Sequence, residues 1–295
     1  MSARLFNRIT KVLGALFLPL LTACGGNDDS DNIGGTETSQ ETITLDPSIG
    51  EMTSTRGTAS NTWTVGDKVA VMIGSTVKEY SVDSKKRLTS ASPFAWNTDF
   101  TDHVQRNLSA WYPYSASLST SRSVQSNQTS GLDGSDFLYG QTTVTYHSGD
   151  WVYPIKFYHQ VAKFTIDITL ESGYSGSVSS VTIGGLACTG TFSAPSSGNI
   201  GSWSSQSNTT TIQANGNGTS WTALIIPQSI ASGNHFTITM TMTAGDTYVY
   251  TSDATITAIT GGQNYQYSFT LNKNDLRSAV TVSPWTTGTS NTLNF

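Results

Sequence analysis

Charge is what this chain has least of: 12% of its residues are Asp, Glu, Lys or Arg, against 36% hydrophobic, and the balance is acidic at −5. A chain with no basic excess has no electrostatic claim on phosphate backbones or anionic lipid, which excludes nucleic acid as a partner. Cysteine is scarce as well, with Cys24 and Cys188 alone. Cys188 lies in the apolar stretch Ile183-Gly-Gly-Leu-Ala-Cys-Thr and reads as a buried, inert thiol. No apolar run is long enough to cross a bilayer as a helix, and no long segment carries a helical repeat.

Motifs for chemistry are missing too. His103, His147, His159 and His235 are scattered, without a second histidine, cysteine or carboxylate at zinc-site spacing. There is no GxSxG elbow, no phosphate-binding glycine loop and no complete calcium loop. The stretch nearest to the last, Asp28-Asp-Ser-Asp-Asn, lacks the glycine and the distal glutamate. The sequence therefore points to no catalytic residue, no metal and no cofactor, and the expected class is a structural protein and not an enzyme.

What is present begins at the N-terminus. Arg4, Arg8 and Lys11 precede an apolar run from Val12 to Leu21, the layout of a signal peptide over residues 1–23. The run stops at Leu21-Thr22-Ala23-Cys24, which resembles a bacterial lipobox, so lipidation is expected at Cys24, with cleavage before it. Loss of the three basic residues takes the net charge from −5 to −8. With the Cys24 sulfur in a thioether, Cys188 is the one thiol left, an intramolecular disulfide is impossible and stability must come from packed cores. Residues 24–41 are Gly, Asn, Asp, Ser and Thr with almost nothing apolar, the composition of a flexible tether. Asp28, Asp29 and Asp31 are open to two readings: an export signal to the outer surface, or a solvated linker.

Beyond the tether, apolar residues recur with period two. Val69, Val71 and Ile73 share one face of such a segment, as do Phe164, Ile166, Ile168 and Leu170. The sets Phe236, Ile238, Met240, Met242 and Tyr265, Tyr267, Phe269, Leu271 repeat the spacing. The class is all-β. About 270 mature residues exceed one comfortable β-sandwich core, so two domains are expected, over residues 42–154 and 155–295. The serine-rich stretches near Ser115 to Ser130 and Ser193 to Ser207 read as surface loops. The tryptophans, among them Trp96, Trp111, Trp151, Trp203 and Trp221, are open to two uses: core filling, or platforms on which sugars stack.

Several stretches, taken in order, resemble the fimbrillin-like (Mfa-like) lipoproteins of the Bacteroidota, subunits of protease-assembled (type V) pili. They are Thr55-Arg56, Trp63-x-x-Gly66-Asp67-x-Val69, Trp111-Tyr-Pro-Tyr-Ser115 and Asp136-Phe-Leu-Tyr139. Phe157-x-His159-x-Val161-Ala-Lys163, Leu224-Ile-Ile-Pro-Gln228, Gly261-Gly-x-x-Tyr265-x-Tyr267 and Val280-x-Val282-x-Pro-Trp285 follow. The resemblance implies two tandem transthyretin-like Greek-key β-sandwiches. It also implies a cell-surface fimbrial subunit anchored in the outer membrane by lipid until an arginine-specific protease releases it. Its partners would be copies of itself or related pilins, joined by strand exchange, together with surface receptors on host or bacterial cells.

The pieces such an exchange needs can be named here. Ile43 and Leu45 share a face of the N-terminal strand Thr42 to Asp46. Arg56 is the sole basic residue between Cys24 and Lys68; a cut between Arg56 and Gly57 would remove both lipid and strand, while the plain alternative is an exposed loop arginine. Val280, Val282, Leu293 and Phe295 are the donor-strand candidates, although Val280 and Val282 also suit the last strand of their own domain. The ten residues after Trp285 would span about 33 Å extended. A second functional reading is a surface lipoprotein that never polymerises and binds glycans through exposed aromatics.

Overall fold

The period-two segments of the sequence become strands in the computed structural model, which describes residues 41–50, 62–172, 176–196, 199–272, 275–284 and 291–293. At Asp275, Pro284 and residues 291–293 the backbone alone is described. The first strands are β1 (Thr44–Ile49), β2 (Lys68–Ile73), β3 (Thr76–Val82), β4 (Leu88–Thr89), β5 (Arg106–Tyr112), β6 (Ser121–Ser123), β7 (Leu138–Val144) and β8 (Val152–His159). Next come β9 (Ala162–Leu170), β10 (Val178–Gly184), β11 (Ala187–Ser193), β12 (Ser202–Thr209), β13 (Ile212–Gln213), β14 (Asn215–Asn217) and β15 (Ser220–Ile225). The last are β16 (Gln228–Ser229), β17 (Thr237–Met242), β18 (Thr247–Thr251), β19 (Ala258–Ile259), β20 (Gln263–Asn272), β21 (Asp275–Pro284) and β22 (Asn291–Leu293). Among the described residues, helix is limited to single turns at Trp96–Asp99 and Asp133–Ser135. No helix among the described residues is long and apolar enough to cross a membrane.

Seven described strands close a barrel in the order β1-β4-β3-β2-β5-β7-β8. The turn into it is set by Gly66, at φ +95°, and by Asp67, whose carboxylate accepts the Thr64 N–H at 2.7 Å. Alternate residues then point inward: Val69, Val71 and Ile73 from β2, and Tyr153, Ile155 and Phe157 from β8, all buried in one hydrophobic cluster. A second cluster gathers Phe164, Ile166 and Ile168 of β9, Ile238, Met240 and Met242 of β17, and Tyr265, Tyr267, Phe269 and Leu271 of β20. Its walls are a six-stranded sheet, β14-β15-β9-β20-β21-β22, and a four-stranded one, β13-β10-β17-β18. β9 and β20 pair in parallel over eight residues. Cys188 is buried in this cluster, and burial raises its thiol pKa.

The described residues form one compact unit. Tyr153, Ile155 and Phe157 belong to the first cluster and Val161 onward to the second, so the division expected between residues 154 and 155 falls within β8. Val124, Leu132 and Phe137, from the expected first domain, pack into the second cluster, and β6 pairs with β11. We propose that each cluster is the core of one domain, the second reaching back to Val124, Leu132 and Phe137. The loop expected over Ser193 to Ser207 is different in the structure: β12 lies there, paired antiparallel with β11. Its residues are mostly solvent-facing, so burial imposed no apolar alternation that a reader of the sequence would notice.

Candidate functional site

β1 is the strand that closes the barrel. It lies parallel to β8 over six residues, Thr44↔Val152 through Ile49↔Phe157, and meets β4 at a single pair, Leu45↔Leu88. Ile43, Leu45, Pro47 and Ile49 are buried while Asp46 and Ser48 are exposed, a strict alternation that fixes which face enters the core. Ile43 and Leu45, named from the sequence, are both 0% exposed. They sit among Tyr80, Leu88, Phe94 and Trp96 of one cluster.

The main chain of β1 is held on both flanks. The Gly50 N–H donates to Phe157 O at 2.8 Å on the β8 side, and the Ile43 N–H donates to Phe94 O at 2.7 Å on the other. N–H groups alternate sides along a strand, so odd-numbered residues of β1 turn away from β8. Pro47, which has no N–H, falls on that side, beyond the end of the short β4 pairing, where no ladder bond is lost. Three buried aliphatic side chains, at about 1.5–3 kcal/mol each, are the larger part of what keeps β1 seated.

The segment from residue 51 to 61, which follows β1, lies outside the described residues, and Arg56 and Gly57 lie in it. Cys24 and Phe295 also lie outside them. Val280 and Val282 are in β21, paired over ten residues with β20. Val280 is buried in the second cluster, and Val282 packs against it. On its other flank β21 pairs with β22, Val280 opposite Leu293 and Val282 opposite Asn291. The geometry therefore separates the three described donor candidates: Val280 and Val282 hold their own sheet together, whereas Leu293 sits in a three-residue outermost strand.

The remaining candidates from the sequence have structural surroundings. His159 is buried, with Nδ1 2.8 Å from the Asp136 carboxylate, so two of the quoted motifs meet there. Among the described residues no group of three or more His, Cys, Asp or Glu is placed to hold a metal. Trp63, Trp96, Trp111 and Trp221 are buried and Trp203 is half-buried. Trp151 differs, at 48% exposed, with its ring stacked on His147 at 4.1 Å. Sequence reasoning missed Tyr80, whose hydroxyl donates to the Ile43 carbonyl at 3.1 Å, and its place in β3 carried no signal for that contact.

The geometry defines an all-β protein whose N-terminal strand is wedged into an otherwise continuous ring. Residues 55–285 match the fimbrillin-like family model, and the chain belongs to that family. It is also similar to the crystal structure of a candidate cell adhesion protein from Bacteroides uniformis, with TM-score 0.64 and 18% identity, covering 83% of this chain and 98% of that one. A candidate cell adhesion protein from Bacteroides ovatus gives TM-score 0.64 at 16% identity, over 85% of this chain and 100% of the other. One from Bacteroides fragilis gives 0.50 at 12%, over 85% and 99%. At these identities the likeness is one of fold. No curated protein matches the chain.

Proposed function

We propose that this chain is a structural subunit of a cell-surface fimbria, exported as a lipoprotein through Cys24, cut after Arg56 and polymerised by strand exchange. Family membership supports the fimbrial role. The observation that carries the exchange step is the seating of β1: a strand at the edge of the ring closure, with alternate side chains buried, that lies on the N-terminal side of Arg56. Cutting after Arg56 leaves β1 bound to the barrel by non-covalent contacts alone. Its departure would open main-chain groups of β8 and the apolar slot of Ile43 and Leu45, which a strand of another copy could fill.

In this proposal the donor is the segment from β22 to the C-terminus, with Leu293 and Phe295, while Val280 and Val282 stay in their sheet. Adhesion to other cells would then be a property of the assembled fibre. An arginine-specific protease added to purified precursor is expected to yield a chain starting at Gly57 and to start polymer growth. Arg56→Ala should block both, and removal of Leu293 to Phe295 should block growth while leaving cleavage intact. Polymer growth from uncut Arg56→Ala chains, or none after complete cleavage, rejects the exchange.

A further inference from the structure

β18 is an open edge with none of the protection its neighbours carry. It is the outermost strand of its sheet, paired with β17 alone among the described strands. Edge strands are usually kept from pairing with other chains by charge, proline, bulges or shortness. β12 has a register shift and positive φ at Ser205 and Asn208, and β13, β14 and β22 are two or three residues long. β18 is Thr247-Tyr-Val-Tyr-Thr251: five residues, uncharged, regularly paired, and composed of strong strand formers.

The sequence of this edge reads the same in both directions about Val249. The Met242 N–H donates to Asp246 O, and the Ser252 N–H donates to Phe236 O, so the even-numbered residues face β17. Thr247, Val249 and Thr251 therefore turn their N–H and C=O outward, and all three side chains are exposed, Val249 at 54%. The partner whose strand fits such an edge is the same edge turned through a two-fold axis.

We propose that β18 pairs antiparallel with β18 of a second copy of this chain, about a two-fold axis through Val249. Val249 then meets Val249 of the partner subunit, and Thr247 meets Thr251 of the partner subunit, each as a hydrogen-bonded pair, giving about six main-chain bonds. Tyr248 and Tyr250 fall opposite each other on the inner face, and threonine and aromatic cross-strand pairs are favourable. Charge selects the register. In this pairing Asp246 falls opposite a serine, whereas a slip of one residue sets Asp246 against Asp253 and turns each side chain to the wrong face. Five residues a side bury far less than the roughly 1,200–2,000 Å² of a stable complex, so one contact is weak and repetition on a crowded surface multiplies it. The pairing needs neither cleavage nor strand exchange.

Cysteine cross-linking of the purified, uncut full chain tests the register. In a hydrogen-bonded antiparallel pair the Cα atoms are about 5.5 Å apart, within disulfide range. Val249→Cys should form a covalent dimer about ten-fold or more faster than Thr247→Cys, whose thiols would lie about 14 Å apart. Mixing Thr247→Cys with Thr251→Cys chains should restore the fast rate, and the parent chain sets the background. Val249→Lys, which places two cations together, should weaken self-association in sedimentation equilibrium. Equal rates for Val249→Cys and Thr247→Cys, or undiminished self-association of Val249→Lys, overturn the proposal.

Discussion

The Tyr80 hydroxyl donates to the carbonyl of Ile43 at 3.1 Å and accepts the N–H of Phe94 at 2.9 Å. One buried side chain thus ties the start of β1 to the loop after β4. Tyr80→Phe strands both main-chain groups without changing the packing, and an unsatisfied buried group costs about 1–3 kcal/mol. The variant is expected to lose stability on that scale in urea unfolding and to exchange the β1 amides faster. Unaltered exchange in β1 would show that Tyr80 does not hold it.

Leu45 and Asp46 are neighbours on opposite faces of β1, one buried and one exposed. Leu45→Ala should cost about 2–5 kcal/mol, as expected for a large-to-small change in a core. Asp46→Ala should stay within about 0.5 kcal/mol. Similar losses at both positions, measured by chemical denaturation, would contradict the seating of this strand.

Those two residues also show how much was legible beforehand. Alternation exposed the buried face of β1, as it did for β2, β9, β17 and β20, because a strand with one wet face must repeat every two residues. Gly66 and Asp67, quoted above as part of a motif, make the turn into β2 for a local reason, a positive φ beside a side chain able to cap its own turn. The parallel pairings of β1 with β8 and of β9 with β20 were out of reach, since strand partners distant in sequence leave no local mark. The polar strand β12 was hidden for the opposite reason, having no buried face to write a pattern. Of the candidate site, the alternation at Ile43 and Leu45 was legible, and Val280 and Val282 already suited a strand of their own domain; that β20 is the strand they pair with is not shown by sequence spacing.

Tyr267 contrasts with Tyr80. Its hydroxyl is buried and has no hydrogen-bond partner among the described residues. Tyr267→Phe removes an unsatisfied group and is expected to be neutral or stabilising by up to about 1 kcal/mol, in contrast to Tyr80→Phe. Burial raises the pKa of both phenols, so the folded state holds their protons more tightly than the unfolded chain. Their contribution is complete below the ordinary tyrosine pKa of about 10 and is lost as pH climbs beyond it. Urea midpoints should fall above that point, and less steeply in the double phenylalanine variant.

Trp151 decides between a fibre subunit and a sugar-binding monomer, because it is the exposed tryptophan among those described. Trp151→Ala should leave unfolding unchanged within about 0.5 kcal/mol, as for other surface substitutions. It should also leave the protein's mobility on polysaccharide gels unchanged. Retardation of the parent chain, lost in Trp151→Ala, would favour glycan capture instead.

Gln128 ties the loop following β6 to the second cluster by imitating a strand. It is 0% exposed; its Nε2 donates to Leu224 O at 2.9 Å and to Gln125 O at 3.0 Å, and its Oε1 accepts the Leu224 N–H at 2.8 Å. β15 is paired with β9 along its length, but β14 reaches only as far as Thr222, so Leu224 has no strand on its outer side among the described residues. One primary amide presents the donor and acceptor that a missing strand would have supplied. Gln128→Leu fills the same space and leaves Leu224 bare, at an expected loss of about 2–4 kcal/mol. Gln128→Glu should be worse, since it discards both donations and places a carboxylate where no water reaches. Thr129→Ala, next in the chain but exposed, is the control, expected within about 0.5 kcal/mol. If Gln128→Leu unfolds at the same denaturant concentration as that control, the amide is a bystander and packing alone joins the loop to β15.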